Sequence, residues 1–368
     1  MEARRVLHMV QGLGLGGTEK VAVTLARGLH ESGRYETALW SPVDGPRAAE
    51  ARSRGLKLFV GGDAARVLQR FAPHIAHLHR PGWPQPEFMR NVRAGLRFDS
   101  QGHRLPYLVE TNVFGRHDPS PGGKLLDCTL FVSHFCAQRF AAFENKALGL
   151  PRYAVLYNPV DLDFFEAHST APEARDYSLP LCGRISRADR GKWSQLALDM
   201  LPLLLRRVPD CVFYIVGGIP EAEEQVRKHG LEAQVRFLPP LVNEVDLLAF
   251  FNGLSALAHA NDTGESFGLV IAEAMATGLP VVTHACEAFK DNAQLELVEH
   301  ERTGLVANTA EDYAAALAWL FAHPEQARRM GAAGREKVRK HYALRVVIRE
   351  LEAVYERLLA GGPGDFAA

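Results

Sequence analysis

The chain has 368 residues, 47% of them hydrophobic, with 42 Lys and Arg against 43 Asp and Glu. This length is enough for two domains with full hydrophobic cores. A net charge of -1 and a pI near 7.0 exclude a strongly basic protein, so we expect no nucleic acid partner. The first 170 residues nevertheless carry 21 basic and 16 acidic side chains, and this net charge of +5 favours that half for contact with anions.

The cysteines are five in number, widely spaced and mostly placed within apolar runs. This pattern favours neither a disulfide framework nor a zinc site built from cysteines. The sequence enters a predicted strand almost at once and contains no long apolar segment. We therefore expect a cytoplasmic protein with reduced cysteines.

Short apolar or β-branched runs alternate with helical stretches from RVLHMVQ at residues 5–11 to GLVAN at residues 304–308. This alternation predicts parallel sheets covered by helices on both faces, formed twice along the chain. A polar stretch at 161–178 indicates the junction. We predict an N-terminal Rossmann-like domain at 1–170, a second at 171–343, and a C-terminal helix at 344–360 that packs back across the domains. Two doubly wound domains of this kind would face each other across a cleft.

A glycine-rich turn follows the first predicted strand. Gly12, Gly14 and Gly17 match G-x-G-x-x-G, which alone is a weak indication of dinucleotide binding. The acidic residue that should confirm it is missing, because the second strand ends in Ser41 and Pro42. We therefore expect no nicotinamide cofactor. Contact with a phosphate and a simple tight turn remain equally good interpretations.

Three histidines lie in HIAHLHRPGWP, where the fourth predicted strand of the chain ends. His77 and His79 share a face of the strand, but no acidic partner is evident, so we expect no metal site. His79 or Arg80 pointing into the cleft and ordinary polar residues at a strand exit are equally good interpretations.

Residues 85–104 form a basic stretch whose helical part has arginines at helical spacing beside apolar residues. Such a helix can lie on an anionic membrane surface, as a peripheral contact at the inner membrane face, or can meet a phosphorylated acceptor. An ordinary surface helix is the favoured interpretation.

A basic loop follows the first predicted strand of the second domain, in CGRISRADRGKWSQ. Arg184, Arg187, Arg190 and Lys192 would suit a diphosphate leaving group, since fixed cations stabilise the charge that grows as the bond breaks. An exposed, solvated loop is the alternative.

Two acids lie eight residues apart in GESFGLVIAEAMATGLPVV at residues 264–282. A helix rise of 1.5 Å per residue places Glu265 and Glu273 roughly 12 Å apart, rotated by only about 80°, so both can face one site. Between them the first amides of the helix lack helical partners and attract an anion. A matching ligand would have hydroxyl groups at each end, for the two acids, and phosphate in the middle, for the helix start. A nucleotide sugar has this order of groups.

These residues resemble glycosyltransferase family 4, whose members are retaining enzymes with the GT-B architecture of two Rossmann-like domains. The resemblance covers most of the chain, and its most specific element is Glu-x7-Glu, present as Glu265-SFGLVIA-Glu273. GGTE after the first strand, YNPVDLDFF at the junction and Gly183-Arg184 support it. The resemblance implies that Glu273 holds the ribose and Glu265 the transferred sugar.

The resemblance also implies that Arg184 and a second cation, Arg190 or Lys192, replace a divalent metal. No cofactor is then expected, and UDP or GDP is the expected nucleotide. The remaining implied donor contacts are the amides of Phe267, Gly268 and Leu269 on the sugar diphosphate, the backbone of Phe237, Leu238 and Pro239 on the base, and Gly16 and Gly17 closing over the phosphates.

On the acceptor side the chain departs from the family pattern. His79 matches a histidine of the catalytic cleft, whereas Glu110 replaces a second family histidine on the next strand. Asn112 and His117 are nearby candidates for its role. We therefore expect a metal-independent, retaining glycosyltransferase acting on an acceptor hydroxyl of a glycan, glycolipid or small metabolite. A sugar-nucleotide epimerase, a phosphorylase and a non-catalytic nucleotide-sugar-binding module remain alternatives, since a fold alone does not choose among them.

Overall fold

The computed structural model describes residues 4–100, 102–170, 174–287 and 289–361. The chain forms two compact units, the first made of Met1–Pro159 and Leu344–Ala368 and the second of Val160–Ala343. The sequence places the junction near residue 170, ten residues later. Residues 162–168 form a helix that packs within the second unit, on the helix at 269–276. Part of the stretch predicted as a linker, residues 171–173, lies outside the described residues.

The first unit contains a seven-stranded parallel sheet in the order β3-β2-β1-β4-β7-β8-β9. Its inner strands are buried on both faces, and Val6, Leu7 and Met9 of β1 are fully buried. The sheet strands are β1 (Arg4–Met9), β2 (Tyr35–Ser41), β3 (Lys57–Val60), β4 (Ile75–Arg80), β7 (Tyr107–Asn112), β8 (Cys128–Phe131) and β9 (Tyr153–Val155), and an antiparallel pair is formed by β5 (Arg97–Phe98) and β6 (Arg104–Leu105).

The helices of the first unit cover this sheet. The connection from β7 to β8, residues 113–127, is fully described and contains a single 3-10 turn at Gly123–Leu125 in place of an α-helix. The α-helices are α1 (Gly17–Glu31), α2 (Arg47–Ser53), α3 (Ala64–Phe71), α4 (Pro86–Ala94), α5 (His134–Glu144) and α14 (Leu344–Gly361).

The C-terminal helix α14 belongs to the first unit. One side of this helix is apolar and faces the protein, since Val347, Leu351, Val354 and Leu358 are buried. It packs on α1 at Gly28, where an added Cβ would lie 2.6 Å from Ile348 Cγ1. A close approach of two helices at a glycine fixes how they pack.

The second unit contains a six-stranded parallel sheet in the order β12-β11-β10-β13-β14-β15. Both units thus have the strand order of doubly wound Rossmann-like folds, as predicted. The strands are β10 (Leu181–Ile185), β11 (Val212–Val216), β12 (Val235–Leu238), β13 (Ala256–Ala258), β14 (Val281–Thr283) and β15 (Gly304–Val306). The helices are α6 (Leu162–His168), α7 (Gln195–Arg207), α8 (Pro220–His229), α9 (Glu244–Asn252), α10 (Leu269–Ala276), α11 (Gln294–Leu297), α12 (Ala310–Ala322) and α13 (Pro324–His341).

The direction of the strand order changes between β10 and β13, which are neighbours in the second sheet. In doubly wound sheets ligands bind at such a switch point, at the carboxyl ends of the strands. The loops that follow β10 and β13 are therefore the first places to look for a site. None of the helices in the described parts of the chain is long and apolar enough to cross a lipid bilayer.

Candidate functional site

Of the two acids in the 264–282 stretch, Glu265 precedes the first residue of α10 and Glu273 lies within the helix. The helix begins at Leu269 after Gly268, whose φ of 103° lies in the left-handed region. Gly278 lies just after the helix with a φ of 75°, the left-handed conformation with which helices commonly end. The side chains of Ile271, Ala272, Ala274, Met275 and Ala276 are fully buried, as expected for a helix enclosed by protein.

Glu265 is held by three polar side chains that all contact one of its oxygens. Oε1 lies 2.9 Å from Lys192 Nζ, 3.2 Å from His259 Nε2 and 2.6 Å from Asn261 Nδ2. No described residue hydrogen-bonds Oε2, and 18% of the side chain is exposed. Oε2 therefore remains available to a ligand.

The partners of Glu265 keep it ionised. Burial alone would raise its pKa, but the hydrogen bond to His259 and the charge of Lys192 lower the pKa to about 2. A carboxylate with this pKa accepts hydrogen bonds at neutral pH and is a poor proton acceptor. Its position suits binding of hydroxyl groups more than general base catalysis.

Glu273 is 5% exposed and lies in the second turn of α10. Phe267, two residues before the helix, is 2% exposed and its ring packs edge-on against Tyr342 at 5.4 Å. Leu269 is half-buried at the first helical position. Glu265, Phe267, Gly268, Leu269 and Glu273 thus follow one another along the start of α10, where unpaired helical amides favour an anion.

Arg184 lies at the carboxyl end of β10 and is 4% exposed. Its guanidinium group stacks on Trp193 at 3.6 Å and donates hydrogen bonds to the carbonyl groups of Ala260 and Lys192. Nε is buried without a hydrogen-bond partner. Burial lowers the pKa of Arg184 to about 9, so the group remains a cation at neutral pH.

The two candidates for the second cation point to different places. Lys192 contacts Glu265, whereas Arg190 forms an ion pair with Glu221 of α8 and 83% of its side chain is exposed. A 3-10 turn at Arg190–Lys192, capped by Asp189, separates the two side chains. Residues two apart on a 3-10 turn project in different directions. Lys192 therefore joins Arg184 and Glu265, and Arg190 does not.

Phe237, Leu238 and Pro239 lie at the carboxyl end of the edge strand β12. The ring of Phe237 is 38% exposed and covers Gly218, where an added Cβ would lie 2.6 Å from the ring. An exposed aromatic ring at a strand end offers a surface on which a nucleobase can stack.

The predicted site residues of the first unit lie at three places: the start of α1, a histidine cluster on the sheet, and a pocket beside β7. Gly16 caps α1, which begins at Gly17, so the glycine-rich turn leads into a helix as predicted. His79 is 2% exposed, and its Nε2 lies 3.0 Å from His8 Nδ1 on the neighbouring strand β1. The sequence places His79 in the catalytic cleft, while in the first unit it is buried among other histidines.

His8, His77 and His79 form a buried cluster in which one nitrogen of each lies within 4.8 Å of the others. Both nitrogens of His77 already have partners, Tyr355 Oη at 2.6 Å and Thr111 Oγ1 at 2.7 Å. A metal ion would have to displace one of them. Burial lowers the pKa of all three rings, that of His79 to about 3.

The acceptor-side candidates Glu110, Asn112 and His117 line one pocket of about 300 Å³ in the first unit. Glu110 and Asn112 are 2% exposed and lie on β7, while His117 lies in the following loop and pairs with Glu144 at 2.7 Å. The structure therefore brings these three residues together.

The basic stretch at 85–104 contains α4, whose Phe88, Met89 and Val92 are buried in the core of the first unit. Its apolar side is thus occupied by protein. Phe98 is 70% exposed beside it, and Gln101 lies outside the described residues. Membrane contact through this stretch stays a prediction.

Two residues that hold Glu265 were not predicted from the sequence. His259 and Asn261 directly follow β13, and a polar His-Ala-Asn-Asp run after a buried strand was the available signal. Their contacts with Glu265 depend on the course of the loop, which turns back at Gly264. An added Cβ at Gly264 would lie 1.6 Å from the carbonyl oxygen of Asp291.

The chain is similar in sequence to known mannosyltransferases. A model of the family described as "Glycosyl transferases group 1" matches residues 176–337. The phosphatidyl-myo-inositol mannosyltransferase of Mycobacterium tuberculosis is 30% identical over 87% of this chain and 85% of that protein. The enzyme of the same name from Mycobacterium leprae is 31% identical over 60% of this chain, which spans 57% of that protein.

A GDP-mannose-dependent α-(1-6)-phosphatidylinositol monomannoside mannosyltransferase of Mycolicibacterium smegmatis is 32% identical over 60% of this chain and 59% of that protein. Among solved structures, Anabaena HepE in complex with UDP and glucose has a TM-score of 0.74 at 16% identity, with 96% of this chain and 100% of that chain covered. This likeness shows the fold. The chain therefore belongs to the group 1 glycosyl transferases and is a hexosyltransferase-type glycosyltransferase of the family 4 kind with the GT-B fold, as its sequence predicted.

Proposed function

We propose that this chain is a retaining glycosyltransferase that moves a hexose from a nucleoside diphosphate sugar to an acceptor hydroxyl without a divalent metal. The observation that carries the proposal is Glu265, an ionised carboxylate with one free oxygen, beside Lys192 and the start of α10. Such a group accepts hydrogen bonds from sugar hydroxyls while the adjacent cation and helical amides receive phosphate.

The proposed donor site follows the order of groups in the ligand. Oε2 of Glu265 accepts a hydroxyl of the transferred sugar, and the amides of Phe267, Gly268 and Leu269 bind the sugar and diphosphate. Glu273, one helical turn further, accepts the ribose hydroxyls. A base stacks near Phe237, Leu238 and Pro239, whose exposed aromatic ring supports this placement.

Two fixed cations take the role of a metal in this proposal. Lys192 is 24% exposed and compensates Glu265, and Arg184 is held by two carbonyl groups and the ring of Trp193. Both are pre-oriented, so they can stabilise the negative charge that develops on the leaving diphosphate with little rearrangement. Arg190 is an unsuitable partner because it pairs with Glu221.

The proposed stereochemistry is retention, by a front-face route. The low pKa of Glu265 argues against its use as a base. In the front-face route the departing phosphate oxygen accepts the proton of the acceptor hydroxyl as the new glycosidic bond forms. The glycosidic oxygen then occupies the same face of the sugar as the diphosphate it replaces.

The proposed nucleotide is UDP or GDP. The Anabaena structure holds UDP, and the Mycolicibacterium enzyme is named for GDP-mannose. We propose the cytoplasm, at the inner membrane face, as the place of action. The five free cysteines suit a reducing compartment, and both mycobacterial names refer to lipid acceptors.

The test is the anomeric configuration of the product formed from UDP-glucose or GDP-mannose with phosphatidylinositol as the acceptor, followed by proton NMR in buffer with and without EDTA. We expect the α-configuration of the donor to persist in the product and the rate to be unaffected by EDTA. Glu224→Gln, an exposed acid of α8, is the control for Glu265→Gln, which should abolish transfer. An inverted product or a rate lost in EDTA contradicts the proposal.

A further inference from the structure

The connection between β7 and β8 leaves a pocket where many crossovers of this fold place a helix. This pocket, the 110–153 pocket, has a volume of about 300 Å³ and lies between residues of β7, β8 and β9, the 113–127 connection and the end of α5. We infer that the 110–153 pocket binds a polyol carrying a phosphate or sulfate group, with the polyol against Glu110 and the anion at Arg116, Lys124 and Lys146.

The inner end of the pocket contains a buried carboxyl group with an unused oxygen. Glu110 is 2% exposed, and its Oε2 accepts hydrogen bonds from Asn112 Nδ2 at 3.3 Å and Thr129 Oγ1 at 3.4 Å. Oε1 forms an ion pair with Arg80 Nη1 at 3.2 Å but accepts no hydrogen bond. A buried polar atom without a hydrogen bond is costly, and a ligand hydroxyl would satisfy it.

Arg80 does not fully compensate Glu110, because it also binds a second carboxylate. Arg80 Nη2 donates to Asp118 Oδ2 at 2.5 Å, and the side chain of Arg80 is fully buried. Burial raises the pKa of Glu110, while the charge of Arg80 opposes that change. A carboxyl group in this position can accept a hydrogen bond from a hydroxyl or donate one to it.

The outer part of the pocket is basic. Arg116, Lys124 and Lys146 line it, are exposed, and form no ion pair with any carboxylate in the described parts of the chain. By contrast, His117 pairs with Glu144, and Arg152 binds the carbonyl group of Leu126. Three cations without counter-ions around one cavity favour a doubly charged anion.

The size of the pocket limits the ligand to a small molecule or a head group, since 300 Å³ is at the lower end of ligand sites. A phosphate could come from a soluble sugar phosphate or from a lipid head group. Phe143, Leu148 and Leu150 are exposed beside Lys146, which gives a lipid source an apolar surface to contact. If the chain transfers a sugar, as proposed above, this ligand is its acceptor.

Binding to the full chain is measured by calorimetry with sorbitol 6-phosphate and with sorbitol, and by co-sedimentation with vesicles of phosphatidylglycerol or of phosphatidylcholine. The pocket variant is Lys124→Ala/Lys146→Ala. Its control is Arg54→Ala/Arg66→Ala, which removes the same charge from exposed positions of α3 and the end of α2. Glu110→Gln tests the inner end.

We expect the pocket variant to bind the phosphate-bearing probe, in solution or in vesicles, at least about tenfold more weakly than wild type. The affinity of the control variant should differ from that of wild type by less than about twofold. Inorganic phosphate is titrated in the same way, and Glu110→Gln should weaken the binding of sorbitol 6-phosphate more than the binding of inorganic phosphate. Binding in solution identifies a soluble source, and binding only to phosphatidylglycerol vesicles identifies a lipid source. Equal loss in both double variants, or no binding of any phosphate probe, overturns the inference.

Binding of UDP and GDP is measured on the same samples. If the pocket variant still binds nucleotide but not the phosphate probe, the chain is folded and the pocket is the site. If sorbitol 6-phosphate binds and no nucleotide does, the proposed function fails while this inference stands.

Discussion

Lys192 Nζ lies 2.9 Å from Glu265 Oε1, across a gap of 73 residues in the sequence. This pair joins the loop after β10 to the loop after β13 at the point where the strand order changes direction. It links a cation suited to phosphate with a carboxylate suited to a sugar.

Removing the charge of Lys192 should affect transfer far more than removing that of Arg190. We expect Lys192→Ala to reduce kcat/KM by about 100-fold or more, because an oriented cation at a developing charge contributes about 3 kcal/mol. Arg190→Ala should change kcat/KM less than about threefold, since its ion pair with Glu221 is exposed. The measurement is steady-state kinetics of both variants. An equal loss of kcat/KM in both would contradict the identification of Lys192, rather than Arg190, as the cation that binds the diphosphate.

The low pKa of Glu265 makes its contribution to stability depend on pH. The folded pKa of about 2 lies below the ordinary value of 4.5, so the contribution is complete above about pH 5 and is lost as pH falls toward 2. The difference corresponds to about 3 kcal/mol. Urea unfolding of wild type and Glu265→Gln should show a constant gap from pH 8 to 5 that narrows below pH 4.5. A gap independent of pH would contradict the arrangement around Oε1, and Glu224→Gln supplies the baseline.

The histidine cluster predicts that the first unit loses stability in acid. His8, His77 and His79 have lowered pKa values in the folded state, so the unfolded state binds more protons below about pH 6.5. For each ring that stays neutral in the folded state, the free energy of unfolding falls by up to about 1.4 kcal/mol per pH unit as the pH decreases from 6.5 to the folded pKa. The unfolding free energy of the chain should fall steeply from pH 7 to 4.

The control for the histidine prediction uses paired variants. His79→Gln should reduce the slope of stability against pH, whereas His30→Gln, at an exposed position of α1, should leave it unchanged. Equal slopes in wild type and His79→Gln would show that His79 titrates normally in the folded chain.

The loop before α10 depends on Gly264. Its φ is 69°, and an added Cβ would lie 1.6 Å from a backbone oxygen. We expect Gly264→Ala to cost more than about 2 kcal/mol in the second unit, through strain and displacement of the loop. Gly230→Ala is the matched control, because φ is 65° there and nothing lies within 4 Å, so about 1 kcal/mol is expected. Denaturant unfolding of the two variants gives both losses of stability, and similar losses would contradict the close approach of Gly264 to the carbonyl oxygen of Asp291.

Much of the fold could be predicted from sequence, because fully buried parallel strands appear as apolar runs and glycines mark helix ends. The start of a helix between Glu265 and Glu273 could be predicted from the apolar run that follows Glu265. The helical distance and rotation expected between the two acids were wrong, because α10 begins only at Leu269 and Glu265 lies in the preceding loop. The choice between Arg190 and Lys192 could not be predicted, since it depends on a short 3-10 turn. The contact of His79 with His8 depends on β1 and β4 being neighbours, which no local pattern states.

The contacts around Glu265 and Glu110 could not be predicted from the sequence either, because they join segments that lie far apart in it. His259 and Asn261 contact Glu265 only because the loop reverses at Gly264. Arg80 and Glu110 belong to neighbouring strands, and their contact follows from the sheet order. Contacts between segments that are distant in sequence are set by topology, which periodicity does not reveal.

We expect the start of α10 to bind a nucleoside diphosphate through Glu273 and its neighbours. The most direct measurement is calorimetric binding of UDP, GDP, ADP and TDP to wild type and Glu273→Gln, with Glu224→Gln as control. We predict that UDP or GDP binds to wild type and to the control, and about tenfold or more weakly to Glu273→Gln. Binding of no nucleotide, or equal binding to all three proteins, would contradict the proposed donor site.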